Sequence, residues 1–162
     1  MHISEINIYP VKSLKGFSVD SAELKSAGLQ YDRQWMVVEP DGTFITQRTC
    51  PQMALVETAI VDGQLVLSSF GMPDHIVPKV DANSPRLKSM VWDDSVNAVD
   101  TGDETAEWLN QALGVACRLV CFPGDETRQC NPERTNEGDN TCLLYTSPSP
   151  RDGATSRMPS SA

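Results

Sequence analysis

The amino-acid sequence predicts a mainly β fold with one helix, near residues 102–113. Three observations carry this. Apolar runs of strand length recur along the chain, set apart by Gly, Pro, Asn and Asp. Two of these runs, one ending at Val61 and one beginning at Gln64, flank Asp62-Gly63, the strongest short signal for a two-residue hairpin. A single stretch between Thr101 and Gly114 has helical spacing instead. With 162 residues, 40% of them hydrophobic, the chain suits one domain or a little more and a modest core.

Taken in order, Ile3 to Val11 reads as a first strand with imperfect alternation. Pro10 ends or bulges its ladder, because proline lacks an amide hydrogen and fixes its own φ. Gly16 allows a tight turn into a second strand, Phe17 to Leu24, whose apolar phase shifts near Ala22 as at a bulge. Gly28 turns the chain again, and Tyr31 to Val38 makes a strand that ends at Glu39-Pro40-Asp41-Gly42. Proline presets φ there and glycine accepts a positive one, so Thr43 to Gln47 is expected as the antiparallel partner of Trp35 to Val38. Alternation then puts Asp32, Gln34, Met36 and Val38 on one face and Arg33, Trp35 and Val37 on the other.

Pro51 to Val61 and Gln64 to Ser69 are the arms of the Asp62-Gly63 hairpin. Phe70 to Pro73 breaks it, and His75 to Val80 follows as a short edge-like strand, since Pro78 cannot donate. His75 has no second ligand near it in sequence and reads as a surface or edge residue, not a metal site. Two short strands between Ser89 and Asp100 surround Asp93-Asp94, whose carboxylates suit a turn better than an acid/base pair because successive strand residues face opposite sides. Thr101-Gly102-Asp103-Glu104 fits a capping box, with Thr101 at the N-cap and Glu104 three residues on. Ala106, Leu109 and Leu113 recur at helical spacing, Trp108 packs beside them, and Gly114 stops the run. Cys117 to Phe122 is the last strand, and residues 123–140 are polar and aperiodic.

A formal charge of -9 argues against a nucleic-acid partner, whose phosphates it would repel. An anionic ligand would need a focused positive pocket within that acidic surface, and Lys12, Lys15, Arg33 and Arg48 are the charges available near the start. No segment approaches the roughly 18 apolar residues that a membrane span requires. Met1 to Ile6 lacks the basic region, apolar core and cleavage site of a secretory signal, so the chain reads as cytoplasmic with no membrane segment. Its five cysteines, Cys50, Cys117, Cys121, Cys130 and Cys142, are odd in number and irregular in spacing, and read as reduced thiols. Cys117 and Cys121 share one face of a strand with no histidine nearby, which suits buried structural thiols rather than a metal site.

The stretch Tyr9-Pro10-Val11-Lys12-Ser13-Leu14-Lys15-Gly16 runs a strand directly into a turn carrying a hydroxyl and two ammonium groups. Lysine supplies a point charge and serine a short hydroxyl donor, the chemistry of an anion site. On residue type alone the same turn also reads as a solvated loop with two surface lysines. Arg33, placed with Trp35 on a covered face, needs an anionic partner; a local pair with Asp32 and a ligand both satisfy that need.

Three motifs in order, Tyr9 to Gly16, Gly28-Leu29-Gln30-Tyr31-Asp32-Arg33-Gln34-Trp35-Met36-Val37-Val38, and Asp41-Gly42-Thr43-Phe44-Ile45-Thr46-Gln47-Arg48, resemble the amino-terminal region of MOSC-type molybdenum-cofactor proteins. That family includes bacterial N-hydroxylated-base reductases and mitochondrial amidoxime-reducing components. The resemblance covers about Ile3 to Thr141 and implies a MOSC-type N-terminal β-barrel. It implies that Lys12, Ser13 and Arg33 contact the pterin of the molybdenum cofactor (molybdopterin), while Arg48 is left a structural role. In the full-length protein it implies two-electron reduction of a small N-hydroxylated substrate, with electrons from an electron-transfer partner protein. The molybdenum-ligating cysteine of the family lies in a following MOSC domain, so none of these cysteines is nominated; the fragment is expected to be inactive and not to retain cofactor. The alternative is a stand-alone β-barrel interaction module without cofactor. A sulfurase-type transferase shares the downstream domain but places a pyridoxal-phosphate domain before the barrel, an arrangement not expected where the barrel opens at Met1.

From Cys142 the character of the chain changes. Cys142 to Asp152 and Ser156 to Ala162 resemble a translated transposase-type sequencing adapter, with Gly153-Ala154-Thr155 where its variable index would fall. Composition alone equally allows a natural Ser/Pro-rich disordered tail. The expected division is therefore a domain over 1–141 and an artefactual, disordered tail over 142–162. The tail holds two arginines and one aspartate, so the rest of the chain carries -10.

Overall fold

A computed structural model describes residues 3–25, 28–81, 83–91, 94–122, 128–129 and 140–141. The tail 142–162 and the turn residue Asp93 lie outside the described residues, as does most of 123–139. In chain order the strands are β1 (Ile6–Ile8), β2 (Phe17–Val19), β3 (Leu24–Lys25), β4 (Gly28–Leu29), β5 (Trp35–Val38), β6 (Glu57–Val61) and β7 (Gln64–Ser68). There follow β8 (His75–Ile76), β9 (Arg86–Val91), β10 (Asp94–Asp100), helix α1 (Asp103–Leu113), β11 (Arg118–Cys121), β12 (Arg128–Gln129) and β13 (Asn140–Thr141). The fold is mainly β with one α-helix among the described residues.

β1 pairs antiparallel with β2, Ile8 opposite Phe17. The strand expected over Phe17 to Leu24 is instead two pieces: β2 ends at Val19, and β3 pairs with β4 as a separate hairpin. Both β3 residues are exposed, so no burial draws the chain into one continuous strand. Pro51 to Val61 is also divided. Pro51–Leu55 is a 3-10 helix, with the proline at its start, where φ is already suitable and the missing N–H costs nothing. Only β6 continues as a strand, and it forms the expected hairpin with β7, Val61 opposite Gln64 across Asp62 (φ 49) and Gly63 (φ 73). β8 adds two residues to that sheet before Pro78.

The second sheet has the order β5-β11-β10-β9, all antiparallel. Its ladders do not close into a continuous barrel, but its two edges are spanned by two residues of the hairpin arm after β5. Phe44 bridges Val38 on β5, and Thr43 bridges Met90 on β9. The turn at Glu39 to Gly42 is as expected, with Gly42 N–H donating to the Glu39 carbonyl at 2.9 Å and Glu39 N–H to Thr43 at 2.7 Å. The Thr43 N–H donates to Asp41 at 2.8 Å, and that bond holds the Asp41 carboxyl below its ordinary pKa. The partner arm is a bridge and not a full strand, because Thr43 is shared with β9.

Both faces of β5 are covered, as its alternation requires. Met36 and Val38 pack with Val91, Val96, Ala98 and Val120 inside the curled sheet. Val37 points the other way, into a larger core with Leu65, Leu67, Leu109 and Leu119. Helix α1 covers that second core with Trp108, Leu109 and Leu113, and ends at Gly114 in the left-handed conformation (φ 71). Its start corrects the capping-box expectation. Gly102 (φ 103) is the N-cap, and Thr101 is turned away to donate its hydroxyl to the Leu119 carbonyl at 3.0 Å. Arg118 ties β11 to the helix start instead, pairing with Asp100 and, at 2.8 Å, with Asp103.

Candidate functional site

The chain changes sheets at Pro10. Lacking an N–H, Pro10 cannot extend the β1–β2 ladder, and the next residues join the free edge of β5. Trp35 N–H donates to the Pro10 carbonyl at 3.0 Å, Lys12 N–H donates to the Trp35 carbonyl at 2.9 Å, and Val11 bridges Trp35 in parallel. Farther on, Lys15 N–H donates to Val56 at 3.0 Å and the Thr58 hydroxyl donates to Lys15 at 2.7 Å. The Lys12-Ser13 turn is thus held between the two sheets. Gly16 is required by close approach and not, as expected, by turn conformation: a Cβ there would lie 2.5 Å from the Ile8 carbonyl and 2.6 Å from the Tyr9 ring.

Within the turn, the Lys12 ammonium lies 4.1 Å from the centroid of the Phe44 ring, and its Nζ is buried. Ser13 is left-handed (φ 64), and Gln47 Nε2 donates to its carbonyl at 2.9 Å. Two side chains of the hairpin arm, Phe44 and Gln47, therefore brace the turn from one side.

Arg33 departs from the expectation that it shares the Trp35 face. β5 begins only at Trp35, and Tyr31 (φ 66) and Arg33 (φ 50) are both left-handed, so strand alternation does not reach back to Arg33. Its N–H donates to the Tyr9 carbonyl at 2.7 Å, and its guanidinium sits 5.1 Å from the Tyr9 ring centroid. Asp32 accepts from the Tyr9 N–H at 2.9 Å through one oxygen and pairs with Arg33 through the other. The local Asp32–Arg33 pair left open by the sequence is formed.

The backbone therefore sets the Lys12-Ser13 turn and the Asp32-Arg33 turn side by side at the start of β5. Each cation rests on its own aromatic ring, Lys12 on Phe44 and Arg33 on Tyr9. Lys15 is exposed and pairs with Glu57 at 2.5 Å, and Arg48 is an exposed turn residue. Sequence reasoning missed Phe44 and Gln47 as supports, and missed the Tyr9 N–H as a second partner of Asp32. One signal was present: the Glu39 to Gly42 turn pairs Val38 with Phe44, which puts the Phe44 ring on the Met36 and Val38 face, and parallel pairing of Val11 with Trp35 puts Lys12 on that same face.

Elsewhere, no group of three metal-ligating side chains occurs among the described residues. His75 sits at the strand edge, as expected, with Nε2 2.9 Å from the Thr105 hydroxyl and its ring stacked on Trp108 at 6.0 Å. Burial lowers its pKa against the opposing pull of Glu104. Burial pushes the Cys117 thiol up to about 11, with Cys50 adding to the effect, and burial pushes the Cys121 thiol up to about 11 as well. Cys130 and Cys142 lie outside the described residues.

The model of the MOSC N-terminal beta barrel domain matches residues 1–116. The chain belongs to this family. Among the relatives of this N-terminal barrel domain, a molybdenum cofactor sulfurase of Drosophila mojavensis is 40% identical over 119 residues, 68% of this chain and 15% of that protein. Mitochondrial amidoxime reducing component 2 of Bos taurus is 39% identical over 126 residues, 74% of this chain and 38% of that protein. The chain thus spans well under half the length of these relatives. The solution structure of a protein of Bordetella bronchiseptica is similar with a TM-score of 0.52 and 26% identity, over 66% of this chain and 92% of that one. No helix among the described residues is long and apolar enough to cross a membrane.

Proposed function

We propose that this MOSC N-terminal beta barrel domain is the cofactor-anchoring, amino-terminal part of a molybdenum-cofactor oxidoreductase that reduces small N-hydroxylated substrates, with electrons from a partner redox protein. One observation carries the reading: the segments that bear the Lys12-Ser13 and Arg33 turns are hydrogen-bonded directly to each other, Arg33 N–H to Tyr9, Trp35 N–H to Pro10 and Lys12 N–H to Trp35, through bonds of 2.7–3.0 Å. An ammonium, a hydroxyl and a guanidinium in neighbouring turns suit a phosphate and the polar rim of a pterin. Lys12 would supply charge, Ser13 a short donor, and Arg33 a planar fork of N–H groups. The bound cofactor would supply the two-electron chemistry. This chain's own residues would hold and orient it, and the chain alone would be inactive.

A stand-alone binding module is the second reading, favoured by the solved Bordetella chain, which this domain matches over 92% of its length. In that case the Lys12 turn would meet an acidic partner or nothing. The test begins with sequencing the transcript across the codons for Asn140 to Cys142, followed by expression of the protein that the continuing frame encodes. We expect a frame that continues past Thr141 and a product containing molybdenum that reduces an aryl amidoxime. Lys12→Ala and Arg33→Ala should each lower its cofactor content about tenfold or more, as loss of a charge-assisted contact does. A genomic stop codon directly after Ala162, with no cofactor in the purified chain, would overturn the reading in favour of the module. Sulfur transfer to the cofactor in place of amidoxime reduction would move the protein to the sulfurase side of the family.

A further inference from the structure

The side chain of Asp32 is only 11% exposed and Arg33's is 35%, so the carboxylate is the more deeply set member of the pair. It has two distinct tasks. Through Oδ1 it accepts the Tyr9 N–H, which docks the strand leading into the Lys12 turn, and through Oδ2 it holds the Arg33 guanidinium that lies against the Tyr9 ring. The Arg33 backbone is fixed separately, by its N–H on the Tyr9 carbonyl, so the guanidinium can change partner while the turn stays in place.

We propose that Asp32 is the positioning residue of this anion site and sets its charge selectivity. Its carboxylate carries one negative charge and holds the guanidinium whenever no ligand is bound. A group bearing two negative charges, such as a phosphate monoester, outcompetes it and draws Arg33 forward toward the Lys12-Ser13 turn; a monoanion does not. The inference rests on the cofactor reading above and adds to it a reason for a carboxylate beside a phosphate-binding arginine.

The test is an NMR titration of the full chain with inorganic phosphate at pH 8, where phosphate is mainly dianionic, and with nitrate as the monoanion. In the wild-type chain phosphate should shift the Arg33 Nε–H and the Asp32 carboxyl carbon together, and nitrate should shift neither. Asp32→Asn keeps an oxygen for the Tyr9 N–H and removes the competing charge. It should bind phosphate about two- to fivefold more tightly, the worth of a partly exposed ion pair, and should now respond to nitrate. A purely structural Asp32 predicts the same phosphate affinity in Asp32→Asn with the Tyr9 amide signal in place, and that result overturns the inference alone. The wild-type arm needs no variant to fold: an Arg33 signal that titrates while the Asp32 carboxyl carbon stays still overturns it too. No saturable phosphate binding by either chain overturns this inference; the cofactor reading is judged separately, on the molybdenum content of the product of the continuing frame.

Discussion

Gly42→Ala should be among the most damaging single changes in the domain, because two separate penalties fall on one atom. Gly42 has φ +89, a conformation that costs an L-residue about 1–2 kcal/mol. Its added Cβ would also lie 2.0 Å from the Lys88 carbonyl oxygen and 3.2 Å from Ser89 Cα. Both neighbours are backbone atoms of β9, so no rotamer change relieves the overlap. The turn must back away from β9, which breaks the 2.9 Å bond from the Met90 N–H to the Gly42 carbonyl, worth about 1 kcal/mol, and opens the Thr43 bridge. The combined loss is about 3 kcal/mol or more, a large share of the roughly 5–15 kcal/mol that holds a domain together. Gly71 is the control, with φ +78 and no atom within 4 Å of its Cβ, so Gly71→Ala should lose only the conformational part, about 1–2 kcal/mol. Urea unfolding at equilibrium measures both. Equal losses for the two alanines, within about 0.5 kcal/mol, would refute the claim that this turn joins the two edges of the curled sheet.

Three further outcomes are expected. Gly16→Ala, pressed against the Ile8 carbonyl and the Tyr9 ring, should destabilise the chain and displace the Tyr9 and Arg33 amide resonances while leaving those of α1 in place; an undisturbed Tyr9 signal would count against the close approach. His75 has its folded pKa lowered by burial, so the unfolded chain binds the proton first. Stability should therefore be flat above the ordinary histidine value near 6.5 and should fall as pH drops below it, and a His75→Gln chain should lose that part of the slope. Cys117 and Cys121, with thiols near 11, should present about one thiolate in ten thousand at pH 7. Peptide mapping after brief iodoacetamide treatment should find both unmodified in the folded chain and alkylated in urea; because the unfolded thiols ionise first, they should also make stability fall as pH rises above about 9.

Much of the fold was legible because its signals are local. Asp62-Gly63, Gly114 and the Ala106, Leu109 and Leu113 spacing each need only a few neighbouring residues to act, and each is found where it was expected. The failures occur where a distant partner decides. Thr101 has the residue type of an N-cap, but the Leu119 carbonyl captures its hydroxyl and Gly102 takes the position. Pro51 to Leu55 is apolar enough for a strand, yet its helix-forming residues and leading proline settle as a 3-10 turn that buries Met53.

The candidate site divides along the same line. Lys12 and Ser13 were singled out by residue type together with the family resemblance, and the motif's proline explains why the chain must leave one sheet and enter another there. The contacts of the third motif were not recognisable; of its residues only Arg48 was weighed, as structural, and it is an exposed turn residue. The contacts belong instead to Phe44 and Gln47, an aromatic ring and an amide that reach Lys12 and Ser13 only after Gly42 has turned the arm back along β5. Charge therefore marked the candidate ligand contacts, Lys12 and Arg33, and the neutral residues beside the Lys12 turn hold its geometry. Substitution of Arg48 should accordingly matter less to anion binding than substitution of Phe44 or Gln47, although only Arg48 carries a charge.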